Sequence, residues 1–268
     1  MPVEEPIPSD PTYAPGEPPN QVHHSEWDPR SAPGTYFLIA INVAVFLWMI
    51  LHGVSATSPT IPQLIHFGAN NAVDVLNGQW YRLITATFVH IGIIHIATNM
   101  WCLWNLGLLG EPLLGPFGLI AVYILTGVSG NLLSIAWDLV FASQSQLQYG
   151  VGAGASGAVF GIAGILIVLL SNRALPFPWE ELRRLRSMVI KFAAINLAIG
   201  LSTLVFNFGV RIDNFAHIGG FTSGLALGVP LVPRMTAGRT RYLGRQKITF
   251  AVACFILALF GYWIANLL

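Results

Sequence analysis

Gly154-Ala155-Ser156-Gly157 sets a serine among small residues at the head of the apolar run Ala158–Leu170. A hydroxyl in hydrocarbon costs free energy unless it is hydrogen-bonded. Polar groups at membrane depth therefore face the protein interior or a water-filled cavity, often with a functional role. Glycine, alanine and serine also let membrane helices approach closely, and the tetrapeptide alone supports nothing beyond that. Two further polar clusters share its apolar setting. One holds His95 and Asn99, four apart and so on one helical face; the other holds His217. A serine hydroxyl is a poor nucleophile until an adjacent base takes its proton, and histidine, which titrates near neutrality, is the usual base. Attack on a carbonyl also needs donors aimed at the developing oxyanion. The first N–H groups of a helix opening at Ser156 lack intrahelical partners and have the helix dipole behind them. The His95 imidazole and the Asn99 amide offer side-chain donors. No acid is obviously placed to orient His217, because Asp213, one turn earlier, reads as the N-cap of its helix. The pattern predicts a Ser–His dyad rather than a triad.

These residues need helices in a membrane to bring them together. The chain has 268 residues, 54% hydrophobic and only 9% charged, with a mean hydropathy of +0.64. Soluble domains carry about a quarter charged residues, so the composition is that of an integral membrane protein. The net charge is +1 and no basic tract points to nucleic acid. Cys102 and Cys254 lie in apolar runs and read as small core residues, not as a disulfide or metal pair. Residues 1–33 are rich in proline and lack an apolar run, the composition of a disordered tail, and no signal peptide is expected there.

Spans are predicted at about Tyr36–Leu51, Ile93–Leu109, Phe117–Trp137, from near Gly154, at Met188–Phe206, Asn214–Val232 and Ile248–Asn266, each near the length that crosses a bilayer. Residues 53–89 are too long for a structureless connection. Trp80, Tyr81 and Arg82 suit the headgroup layer, so a partly structured outer interfacial loop is expected. Arg173, Arg183, Arg184, Arg186 and Lys191 border one loop, and Arg234, Arg239, Arg241, Arg245 and Lys247 another; Arg30 agrees, whereas the opposite side has only Arg82 and Arg211. The positive-inside rule then puts the N-terminus in the cytoplasm, the C-terminus outside, and all three polar clusters near the outer face. Gly157 and Gly161 on one span, with Gly220 and Gly224 on another, form small-xxx-small faces. Packed together, these faces would bring Ser156 near His217.

Taken together, Gly154-x-Ser156-Gly157, His90-x4-His95-x3-Asn99 and Ala216-His217-x2-Gly220-x3-Gly224 resemble the rhomboid family of intramembrane serine proteases. Gln79-Trp80-Tyr81-Arg82-Leu83 and Glu111 add to the likeness, which runs from about Thr35 to Pro233. The resemblance implies an all-α bundle of six transmembrane helices in residues 34–233. Residues 234–268 would supply a cytoplasmic linker and an appended seventh helix. It implies Ser156 as nucleophile and His217 as general base and acid. It also implies an oxyanion hole of His95, Asn99 and the Ser156 backbone N–H. Phe160 stands where the family often has a tyrosine stacked on the histidine, and a phenyl ring keeps that face. Gly154, Gly157, Gly220, Gly224, His90, Arg82 and Glu111 are supporting positions. His90 reads as a structural hydrogen-bonding residue of the outer loop and Arg82 as a loop anchor. Glu111 reads as a cap or a tie for the turn around Pro112 and Gly115.

The implied activity is endoproteolysis of transmembrane protein segments near the outer face, through an acyl-enzyme, in a multi-pass protein of the cell membrane with lipid around it. No cofactor or metal is expected, and a zinc site of His90, His95 and His217 lacks a carboxylate or thiolate partner. A catalytically silent, client-binding relative would usually have lost the serine or the histidine. A small-solute transporter would favour internal repeats and deeper ionisable residues.

Overall fold

The computed structural model describes residues 31–143, 147–148, 150–205, 212–232 and 238–267. The predicted tail falls almost wholly outside them, as do Arg30, Phe206, Arg211, Pro233 and Arg234. Contacts separate Met1–Ser31 from Ala32–Leu268, and the second unit is the one built of the helices below. Among the described residues there is no strand; one isolated bridge pairs Asn70 with Gly152.

Helix α1, Pro33–Leu51, starts with proline at its first position, where the missing N–H is no loss. Ala32 offers no side-chain cap, and the cap comes from far along the chain. The Glu111 carboxylate accepts from Gly34 N–H at 2.8 Å, Thr35 N–H at 2.7 Å and the Thr35 hydroxyl at 2.7 Å. Glu111 is therefore a cap, but of α1 and not of the turn around Pro112 and Gly115. An anion satisfies the unpaired N–H groups at a helix start, and the residue before α1 supplies no acceptor of its own.

The loop of residues 53–89 has short helices α2 (Ile61–His66), α3 (Ala72–Leu76) and α4 (Arg82–Thr85). Arg82, buried, holds them together: Nη1 donates to the Ile65 and Ala69 carbonyls, Nε donates to Gln79 Oε1, and Nη2 lies 3.3 Å from Asp74 Oδ2.

The second and third predicted spans are two arms of one element, α5 (Ile93–Phe141), broken at Gly115 with φ 75° and ψ 163°. Glycine takes that left-handed backbone without a Cβ penalty, and Pro116 supplies no N–H to carry the helix through. The carbonyls left over on the near side, Leu113 and Leu114, accept from Tyr242 Oη at 3.0 Å and Gln246 Nε2 at 2.8 Å. Both donors belong to the last helix, α9 (Arg239–Ala265), so the C-terminal helix does the tying that sequence reading assigned to Glu111.

Helix α6, Ser156–Leu169, is the centre of the bundle, with Ile162, Ile165 and Leu166 fully buried. It crosses α8, Asn214–Leu231, along the predicted glycine faces. A Cβ on Gly220 would overlap the Gly157 carbonyl, one on Gly224 the Gly161 carbonyl, and one on Gly164 the Phe221 carbonyl. Backbones in such contact leave no room for side chains between them. Helix α7, Trp179–Val205, begins well before its predicted start at Met188, with a charged first turn. The guanidiniums of Arg173 and Arg186 lie 4.6 and 5.6 Å from the Trp179 ring. Among the described helices, α1, α5, α7 and α9 are long and apolar enough to cross a membrane, and α6 is a shorter apolar helix.

Candidate active site

The residues before α6 are held in place by two histidines. Gly154 has φ 126°, and a Cβ there would stand 2.6 Å from His95 Cε1, so both backbone and space demand glycine. Its N–H donates to the Ala86 carbonyl at 2.9 Å. The next N–H, of Ala155, donates to His90 Nε2 at 3.3 Å, while His90 Nδ1 lies 3.1 Å from the Phe88 carbonyl. A carbonyl can only accept, so His90 is the neutral Nδ1–H tautomer. Burial, and then the nearby His95, push its pKa down to about 3 against the opposing Phe88 hydrogen bond. The His90 and His95 rings meet edge-on at 5.3 Å.

Ser156 is the first residue of α6, and His217 lies one turn into α8. Their side chains meet: His217 Nε2 is 2.8 Å from Ser156 Oγ. Phe160, one turn further along α6, stacks on the imidazole with centroids 4.3 Å apart and planes 15° from parallel. His217 Nδ1 is buried with no hydrogen-bond partner among the described residues. Asp213 does not reach it. That carboxylate caps α8 through Ala216 N–H at 2.9 Å and accepts from the Ser134 hydroxyl at 2.6 Å. Burial raises its pKa, with the Ser134 and backbone hydrogen bonds pulling the other way.

His95 and Asn99 project from the start of α5 into the same cavity, about 550 Å³ in volume, that Ser156, Phe160 and His217 line. Ile91 N–H donates to His95 Nδ1 at 3.2 Å, which leaves the proton of a neutral ring on Nε2, the nitrogen beside Gly154. Asn99 spends one amide hydrogen on the His95 carbonyl at 2.9 Å and keeps its second. The cavity thus contains a hydroxyl in contact with an imidazole, ringed by N–H donors. That set is suited to nucleophilic attack on a carbonyl.

Of the other predicted positions, Gly157, Gly220 and Gly224 form the α6–α8 seam. Arg82 and Glu111 sit elsewhere, in the loop of residues 53–89 and at the head of α1. Among the described residues no three His, Cys, Asp or Glu side chains gather where a metal ion would bind. Sequence reading missed several cavity residues, three of which carry a carboxamide or a thiol. They are Asn131 on α5, Cys102 on α5 (assigned to the core) and Asn196 on α7. Asn196 does carry a signal, a carboxamide in an apolar stretch four residues after Phe192.

The Rhomboid domain family model matches residues 77–234. The chain is 34% identical over 201 residues to Rhomboid protease GluP of Bacillus subtilis, covering 73% of this chain and 35% of that protein. It is 31% identical over 208 residues to Rhomboid protease AarA of Providencia stuartii, covering 74% and 72%. It is 30% identical over 216 residues to Rhomboid-like protease 2 of Toxoplasma gondii, covering 80% and 70%. It therefore spans about a third of the first of these and most of the other two.

Proposed function

The chain belongs to the rhomboid family of intramembrane serine proteases, and from that membership we propose an endopeptidase that cuts transmembrane protein segments near the outer membrane face. Ser156 attacks the scissile carbonyl as His217 Nε2 takes its proton. The oxyanion is met by the Ser156 N–H, His95 Nε2–H and the second Asn99 N–H, each donor worth about 3 kcal/mol in the transition state. Collapse expels the amine, which takes the proton from His217 and leaves an acyl-enzyme. Water, deprotonated by the same ring, releases the acid. His217 works without an orienting carboxylate. Its position is fixed by the Phe160 stack and the glycine seam.

The observation that carries this reading is the 2.8 Å contact between Ser156 Oγ and His217 Nε2 in a cavity supplied with N–H donors. The same contact weighs against a silent client-binding relative. The architecture we propose is a six-span core in residues 34–233 with the interfacial loop at 53–89. A cytoplasmic linker and seventh span follow in residues 234–268, and residues 1–33 form a cytoplasmic tail. The protein sits in the cell membrane with its C-terminus outside. Ser156→Ala should abolish cleavage of a single-span substrate in a chain that still folds. Fluorophosphonate labelling should need both Ser156 and His217, and EDTA should change neither readout. Full cleavage by Ser156→Ala would overturn the proposal.

A further inference from the structure

The donors around Ser156 serve the carbonyl under attack and leave the rest of the segment's backbone to be satisfied. A chain drawn out of helix exposes N–H as well as C=O groups, and in a membrane an unpaired one is costly. Acceptors are needed as well as donors, and α7 brings one to the same cavity.

Of the α7 residues lining the cavity, Phe192, Asn196 and Ile199, only Asn196 is polar. Its Nδ2 donates to the Phe192 carbonyl at 2.9 Å, and its Oδ1 has no partner among the described residues. Its height is set by a ring contact. Phe192 meets Phe160 with centroids 6.4 Å apart, and Phe160 lies on His217. Helices α6 and α7, joined by a short connection, run antiparallel. The step from Phe160 back to Ser156 and the step from Phe192 on to Asn196 therefore go the same way, each about 6 Å along the axis. Asn196 stands level with Ser156 on the facing wall.

We propose that Asn196 is a substrate-binding residue whose Oδ1 accepts a backbone N–H of the extended segment beside the scissile bond. The inference rests on the reading of Ser156 as the nucleophile. Because it grips main chain, it is indifferent to the substrate's side chains and favours any segment able to leave helix.

The test pairs Asn196→Leu, an apolar change of similar size in an apolar helix, with single-span substrates carrying one backbone ester in place of an amide near the cut. In the unaltered enzyme one ester position should lower cleavage about tenfold, the size of one lost hydrogen bond. Asn196→Leu should lower cleavage of the all-amide substrate by about the same factor, and the two changes together should cost no more than one. The rate of fluorophosphonate labelling at Ser156 should not fall with it. Losses that multiply, an unchanged cleavage rate, or labelling that falls in step with cleavage would overturn the assignment. An unaltered chain that takes up no label would instead overturn the protease reading beneath it. The ester scan in the unaltered enzyme does not depend on the variant folding.

Discussion

Helices α6 and α7 follow one another in the chain and both wall the cavity, yet they are held in opposite ways. In α6 every residue from Gly157 to Leu166 is buried, and its glycines lie against the backbone of α8. In α7 only 17% of the apolar stretch is buried within the protein. Apart from the Phe192 ring against Phe160 and the buried Val189 and Ala193, its ties are near its ends: Trp179 between two arginines, and Thr203 Oγ1 accepting Ile212 N–H at 3.2 Å. The hydroxyl and imidazole ride on the rigid pair, where a small displacement would part them. The α7 wall carries little packing energy within the protein, the property of regions with low local stability.

The largest expected effect comes from forcing the seam. Gly220→Ala puts a methyl into the Gly157 carbonyl, and because the clash is with backbone, no side chain can turn aside. The helices must separate, at a cost of about 3 kcal/mol. Thermal unfolding in detergent should drop, and labelling of Ser156 should be lost even in the fraction that remains folded. Full labelling would mean that the Ser156–His217 contact does not depend on the seam.

Away from the seam, Glu111→Gln tests the cap on α1. The amide keeps shape and loses charge, and hydrogen bonds to a charged group contribute about 2 kcal/mol. Stability should fall by roughly that amount, with labelling kept below the melting temperature. A loss of labelling with no loss of stability would tie Glu111 to the cavity after all.

What the sequence revealed and hid follows the same division. Ser156, His217 and their glycines were legible because each motif lies within a turn or two of one helix, and matching small faces have few ways to pack. Glu111 was placed at the wrong turn because the N–H groups it caps, of Gly34 and Thr35, are more than seventy residues away, and periodicity carries no information about which distant N–H groups lack an acceptor. The break at Gly115 was read as a connection between spans, since the Tyr242 and Gln246 donors that serve its carbonyls come from the far end of the chain. Asn196 carries only a weak signal, because one carboxamide in an apolar helix does not say whether it faces lipid or the bundle.

A smaller effect follows from His90, which fastens the turn before α6. Its pKa is pushed down to about 3 in the folded chain and is about 6.5 when exposed. Between those values the unfolded chain binds the extra proton, so stability rises with pH there. His90 should therefore cost nothing above pH 7, and below pH 6 should withdraw up to about 1.4 kcal/mol per pH unit. Melting temperatures from pH 7 to 5 should fall less steeply for His90→Asn than for the unaltered chain. Equal slopes would remove His90 as the acid-sensitive fastening.

The smallest effect is expected on α7, and it decides whether the comparison holds. Ile195 is 58% exposed on the face of α7 turned from the bundle. In water, trimming it to alanine would alter the apolar surface that folding hides. In a bilayer the groups around it are lipid chains, as apolar as the side chain they replace, so no transfer energy is lost and the gap refills. Alanine is also the better helix former. Ile195→Ala should shift stability by less than about 0.5 kcal/mol, the range of substitutions that touch nothing specific, with cleavage of a single-span substrate unaltered. A loss of several times that amount would mean that α7 is held along its length as firmly as α6, and the contrast between a fixed wall and a loosely held one would fail.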